Sequence, residues 1–208
     1  MPTRRTALAL AALLAAPLAL AVPAAAAGPQ VDRPAPAFTA RDADGRTVSL
    51  ADYKGRTVVL EWTNHDCPFV QKHYGGQAMQ ALQKKWTGQG VVWLTVISSA
   101  PGEQGAVSGS EAHRLTQERG AAPTTVVLDT DGAVGRAYGA QTTPHMFVVK
   151  GDGTLAYMGG IDDKPSTTLA DLKTARNHVD AALAEIAAGQ PVSLKTARPY
   201  GCSVKYAS

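Results

Sequence analysis

The stretch from Val58 to Val70, Val-Val-Leu-Glu-Trp-Thr-Asn-His-Asp-Cys-Pro-Phe-Val, limits what the chain can become more than any other. A run of β-branched and large apolar residues without Gly or Pro reads as a central strand. The polar segment Asn64-His65-Asp66 ends it. Pro68 then fits the first position of a helix, where its missing N–H costs nothing, and helical character continues from Gln71. Cys67 is therefore expected at the mouth of a helix, where unpaired N–H groups and the helix dipole favour a thiolate. His65 and Asp66 beside it predict a wet, polar turn; the competing reading is a small buried hydrophobe.

Residues 1–27 carry Arg4 and Arg5, an uncharged Ala/Leu run and Ala25-Ala26-Ala27 at the end, the layout of a cleavable secretory signal. Thr3-Arg4-Arg5 with Leu8 partly matches a twin-arginine signal, but Ala7 stands where a bulky residue is expected, so either export route fits. An uncleaved membrane anchor is the alternative. Without Arg4 and Arg5 the chain has 18 basic and 17 acidic residues, a balance that predicts no nucleic-acid partner. No later apolar segment is long enough to span a membrane. Two cysteines in an exported, periplasmic protein lie where disulfides can form.

Residues 28–190 are expected to form one domain and residues 191–208 a tail that carries Cys202. Thr39 to Leu50, with the turn Asp42-Ala43-Asp44-Gly45, reads as a hairpin. Phe69 to Trp86 reads as a helix kinked or divided at Gly75-Gly76. Val91 to Ile97 and Thr124 to Leu128 read as further strands, with a Gly/Ser-rich loop from Ser98 to Ser110 and a short helix starting at Ser110 between them. Ala133 to Tyr138 forms a short helix, and Met146 to Val149 pairs with Thr154 to Met158 across Lys150-Gly151-Asp152-Gly153. A last helix is expected from Leu169 to Ala188, followed by an extended tail.

Pro34-Ala35-Pro36-Ala37-Phe38, Asp44 to Leu50, Trp62 to Pro68, Thr142-Thr143-Pro144 and Gly160 to Asp163 together resemble the redoxin group, which includes the peroxiredoxins. Cys67-Pro68-Phe69-Val70 with Gly201-Cys202-Ser203-Val204-Lys205 is similar to its exported, peroxiredoxin-like members. The resemblance implies an α/β thioredoxin-like sandwich: a central mixed sheet flanked by helices, with the hairpin as an N-terminal extension. It also implies a cis peptide before Pro144, with Thr143 and Pro144 shaping a groove whose backbone pairs with an extended substrate. His145 would then lie near Cys67.

The departures from the family pattern are specific. Val70 replaces the second cysteine of a Cys-x-x-Cys pair, so no local dithiol forms. Leu60 and Asn64 stand where a peroxiredoxin carries its Pro and its peroxide-holding Thr, and Cys67 falls about three residues before the peroxidatic position. The expectation is therefore a thiol-based oxidoreductase with Cys67 as nucleophile, Cys202 as candidate resolving thiol, and His65 and Asp66 tuning the thiol. Asp66 is also expected to accept N–H bonds at the helix start. Its partners would be a disulfide or peroxide substrate and a thiol electron donor, and no cofactor is expected. Cys202 could instead form a permanent staple or stay separate. The alternative function is a metal-binding, copper-type or noncatalytic module using Cys67, His65 and His145. His73, His113 and His178 read as ordinary surface residues.

Overall fold

The computed structural model describes residues 28–207, so the expected signal segment lies outside the described residues. Strands β1 (Thr39–Asp42) and β2 (Thr47–Ser49) form the hairpin, and β3 (Val58–Trp62) follows a 3-10 turn at Leu50–Tyr53. Helices α1 (Pro68–Gly75) and α2 (Ala78–Thr87) lead to β4 (Val92–Ile97), and α3 (Gly109–Glu118) leads to β5 (Thr125–Leu128). Helix α4 (Ala133–Ala137) precedes β6 (Thr142–Thr143), β7 (His145–Val149) and β8 (Leu155–Gly159). Helix α5 (His178–Ala187) and β9 (Cys202–Ser203) complete the order.

Seven strands form one mixed sheet in the order β2-β1-β5-β4-β3-β7-β8. β3 runs parallel to β4, and β4 to β5, while β7 is antiparallel to β3. The expected sandwich with a central mixed sheet is therefore the fold. The hairpin is not an appendage, because β1 pairs with β5 and lengthens the sheet.

Every residue of β3 and β4 is buried, as their unbroken apolar runs predict. Strand alternation sorts their side chains between two cores. Val59, Trp93, Met146 and Val148 meet Val70, Tyr74, Leu82, Val179 and Leu183 from α1, α2 and α5. On the other face Leu60, Trp62, Leu94 and Phe147 meet Val134 and Tyr138 at α4. Burying each such aliphatic side chain is worth about 1.5–3 kcal/mol, which is why β3 holds its position firmly.

The division at Gly75-Gly76 is realised as two helices. Gln77 takes a left-handed conformation between them. Gly76 gives the Leu172 side chain room, since a Cβ there would stand 2.2 Å from Leu172 Cδ1 and would push that side chain aside. Two boundaries differ from expectation. Helix α3 starts one residue early, at Gly109, because Ser108 rather than Ser110 accepts the Glu111 N–H, at 3.2 Å. The expected last helix is split into a 3-10 turn, Leu169–Lys173, and α5, because Asn177 accepts from Asp180 N at 2.8 Å and begins a new helix.

Candidate functional site

β3 delivers the chain to the site, and Asn64 shapes the turn that follows. Asn64 is buried, its Oδ1 accepts from Asp66 N at 2.9 Å, its carbonyl accepts from Cys67 N at 3.1 Å, and its Nδ2 donates to Gln104 O at 3.2 Å. Cys67 is the residue that precedes the first turn of α1, with Pro68 directly after it. The turn is polar at its rim, but the sulfur is not wet. Cys67 is 0% exposed and packs with Val59, Val70 and Met146, with Phe69, Tyr200 and Cys202 against the same cluster.

The cover comes from the tail. β9 pairs antiparallel with β6, with Cys202 opposite Thr143 and Ser203 opposite Thr142. The Thr143–Pro144 peptide is cis, and the Cys67 thiol donates to the Thr143 carbonyl at 3.1 Å. Beyond β9, Val204 N donates to Gln141 O at 3.0 Å, Ala100 N donates to Lys205 O at 2.8 Å, and the Tyr206 hydroxyl donates to Ala140 O at 2.8 Å. The Gly/Ser-rich loop after β4 therefore touches both the Cys67 turn, through Gln104, and the tail, through Ala100.

A second set of bonds fastens the tail to α1. The Tyr200 hydroxyl donates to Asp162 and lies 3.2 Å from His73 Nε2, while the Tyr200 ring meets Phe69 edge-on at 5.8 Å. Lys72 is buried 3.9 Å from the Asp162 carboxylate and donates to Lys164 O at 2.7 Å. Burial holds the His73 ring down at about 4, below its ordinary range, despite the Asp162 charge. His73 is thus a buried member of a polar network, not the surface residue expected. His113 is exposed and pairs with Asp44 at 2.8 Å.

The two thiols are free and perturb one another. Burial pushes the Cys67 thiol up, but the Cys202 thiol, Thr143, and the N–H groups of Val70 and Cys202 favour the thiolate more, and Cys67 ends below its ordinary value of 9.0. Val70 lies in the first turn of α1, so one of the helix's unpaired donors contributes as expected. The Thr143 hydroxyl is buried with no hydrogen-bond partner among the described residues. Cys202 is half-buried, and burial together with hydrogen bonding to Cys67 raises it to about 11. The pair is thus asymmetric: one covered thiol held below its ordinary value, and one more accessible thiol raised above it.

The side chains of His65 and Asp66 pair with each other at 3.4 Å. Asp66 does not cap α1, which begins without a side-chain cap because the Asn64 amide organises the turn instead. His145 is not near Cys67. Alternation along β7 aims its ring at Phe147, 4.5 Å away on the opposite face of the sheet, where Nδ1 accepts from Gln141 N at 3.2 Å. Burial alone holds it down at about 4. Among the described residues no three His, Cys, Asp or Glu side chains converge to hold a metal, which removes support from the Cys67, His65 and His145 metal alternative.

Glu61 is a site element that the sequence reading did not single out. It is fully buried in β3 and receives Trp93 Nε1 at 2.7 Å, Tyr74 Oη at 2.8 Å, Gln83 Nε2 at 3.0 Å and Thr95 Oγ1 at 3.3 Å. Four donors match the acceptor capacity of an ionised carboxylate. Burial still raises its pKa above the usual carboxylate range. Through Tyr74 and Gln83 it fixes α1 and α2, and so the helix that Cys67 precedes, to the central strands. The one available signal was a lone carboxylate in an otherwise apolar strand.

The AhpC/TSA family model matches residues 31–158. No curated protein matches the chain. Among solved structures, a hypothetical protein from Sinorhizobium meliloti 1021 is 23% identical, covers 86% of this chain and 96% of its own, and superposes with a TM-score of 0.69. An uncharacterized conserved protein from Geobacillus kaustophilus is 25% identical, with 86% and 93% covered and a TM-score of 0.68. A candidate thiol:disulfide interchange protein DsbE from Chlorobium tepidum is 22% identical, with 63% and 85% covered and a TM-score of 0.51.

Proposed function

The chain belongs to the AhpC/TSA family, and from that membership we propose that it is an exported, periplasmic thiol-based oxidoreductase in which Cys67 is the nucleophile and Cys202 resolves the intermediate. The observation that carries this reading is the register of β9: pairing with Thr143 sets Cys202 beside Cys67, whose thiol its hydrogen-bond partners hold below its ordinary value. The Cys67 thiolate attacks one sulfur of a disulfide, the S–S bond breaks, and one thiolate leaves. Cys202 gives up its proton and attacks the Cys67 sulfur, forming the internal bridge and releasing the second thiolate. Two protein thiols are oxidised and one disulfide is reduced to two thiols. An external thiol donor then reverses the bridge.

Thr143 and Pro144 serve by holding the tail strand and the sulfur in one place, while His65 and Asp66 remain outside the electron-transfer step. A disulfide is favoured over a peroxide as oxidant. Leu60 and Asn64 replace the family's Pro and its peroxide-holding Thr, and the Asn64 side chain is already committed to Asp66 N and Gln104 O. Among the described residues no helix is long and apolar enough to cross a membrane, which is compatible with a free exported domain.

The test is nonreducing peptide mass spectrometry on reduced protein given one equivalent of a small disulfide or of hydrogen peroxide. A Cys67–Cys202 bridge that forms on oxidation and reopens with mild thiol is the expected result. Two thiols that never pair would end the two-cysteine mechanism. Bridge formation that is much faster with peroxide would shift the reading to peroxidase chemistry.

A further inference from the structure

The tail strand does more than position Cys202. It shows how a cysteine in an extended chain reaches Cys67: the backbone runs antiparallel to β6, opposite Thr143, whose carbonyl also touches the Cys67 thiol at 3.1 Å. A polypeptide disulfide offering its sulfur to Cys67 would need that same strand edge. The edge is filled by the chain itself. Gly201 is fitted to the contact, because a Cβ there would stand 2.0 Å from the Thr143 carbonyl oxygen and its φ of +131° is one that other residues rarely adopt. On either side, Tyr200 on Asp162 and Lys205 under Ala100 hold the strand down.

We propose that β9 is a resident strand that excludes polypeptide disulfides from Cys67 and restricts the enzyme to low-molecular-weight disulfides. The proposal rests on the oxidoreductase reading above and narrows its substrate. A small disulfide, RSSR, needs only a local shift at the half-buried Cys202, whereas a polypeptide must strip β9 from β6 and take its place. The chemistry balances as before: the R–S–S–R bond breaks, the Cys67–Cys202 bond forms, and the two RS⁻ groups leave with the protons of the two protein thiols.

The experiment follows loss of the free Cys67 thiol, into a mixed disulfide or the bridge, in the reduced full chain by nonreducing peptide mass spectrometry. Glutathione disulfide is one oxidant, and a denatured polypeptide with a single disulfide is the other. Each rate is divided by that of a free dithiol with the same oxidant, which removes differences in intrinsic reactivity. The corrected rate with glutathione disulfide should exceed the polypeptide rate by about 100-fold or more. In Gly201→Val, with β9 displaced, the polypeptide rate should rise by about tenfold or more. Equal corrected rates in the wild-type chain would overturn the proposal even if the variant fails to fold. A folded Gly201→Val chain that shows a released β9 by amide exchange but keeps the wild-type preference would overturn it too. If neither oxidant forms the bridge, the oxidoreductase reading itself fails, and the substrate restriction falls with it.

Discussion

The two cysteines reach the same place by different physical routes. Cys67 is placed by its neighbours in sequence: a buried strand, a turn locked by Asn64, and a proline that begins α1. Cys202 is placed by residues far away, through pairing with Thr143 and through Tyr200, whose hydroxyl meets Asp162 and His73. A locally specified group moves only if its turn or strand moves. A group held by distant bonds can be released one bond at a time while the rest of the fold stays intact. Cys67 is therefore built into the packed core, and Cys202 sits on the element that distant bonds alone hold in place.

The largest effect should come from breaking the local side. Asn64→Ala leaves the Asp66 N–H and the Gln104 carbonyl without their partner in a part-buried turn. At about 1–3 kcal/mol for each group left unsatisfied, with the lower half of that range applying because Asp66 and Gln104 are exposed, unfolding in urea should show a loss of about 2–4 kcal/mol. A midpoint within error of wild type would mean that the turn is held by its backbone alone, and the contrast between the cysteines would lose its basis.

The same contrast explains what the sequence disclosed. The strand before Cys67, the helix break at Gly75-Gly76 and the hairpin of β7 and β8 are written in short-range patterns of apolarity, glycine and turn residues. The burial of Cys67 is not, because its cover is contributed by residues more than a hundred positions away. His65 and Asp66 suggested a wet thiol, yet they face each other at the rim. Lys72 and His73 were unreadable as a buried pair. Their partners, Asp162 and Tyr200, are brought in by tertiary packing that no local window contains. His145 was misplaced for a different reason: its distance along the chain from Pro144 is short, but strand alternation turns it to the far face.

A smaller effect, confined to the tail, should follow from Tyr200→Phe. The ring contact with Phe69 stays, but Asp162 loses a donor and His73 loses its neighbour. Asp162 keeps Lys164 N at 2.9 Å, so the expected loss is about 1–2 kcal/mol in global stability. The sharper readout is local. Amides of residues 202–206 should exchange faster and Cys67 should alkylate about tenfold faster in native buffer, while β3 keeps its protection. If β3 and the tail lose protection together, the tail is part of the core, and the two regions do not differ in kind.

The smallest effect tests the electrostatic side of the asymmetry. Cys202→Ala removes hydrogen bonding from the Cys202 thiol, the largest of the influences that favour the Cys67 thiolate, so the midpoint of Cys67 ionisation should move upward. In the wild type, folded Cys67 ionises before the unfolded thiol does. The unfolded state then binds more protons in the interval below 9.0, and stability rises with pH there. Cys202 acts in the opposite sense. With a folded value of about 11 against an ordinary 9.0, it stays protonated after the unfolded thiol has lost its proton, and stability falls as pH rises between the two. The alanine variant should therefore gain less stability on approaching pH 9 and lose less above it. Thiolate absorbance gives the ionisation midpoint, and urea midpoints across the same pH range give the two slopes. An unmoved Cys67 midpoint would show that Val70 N–H and Thr143 hold the thiolate unaided, leaving Cys202 as a resolving thiol with no part in activating its partner.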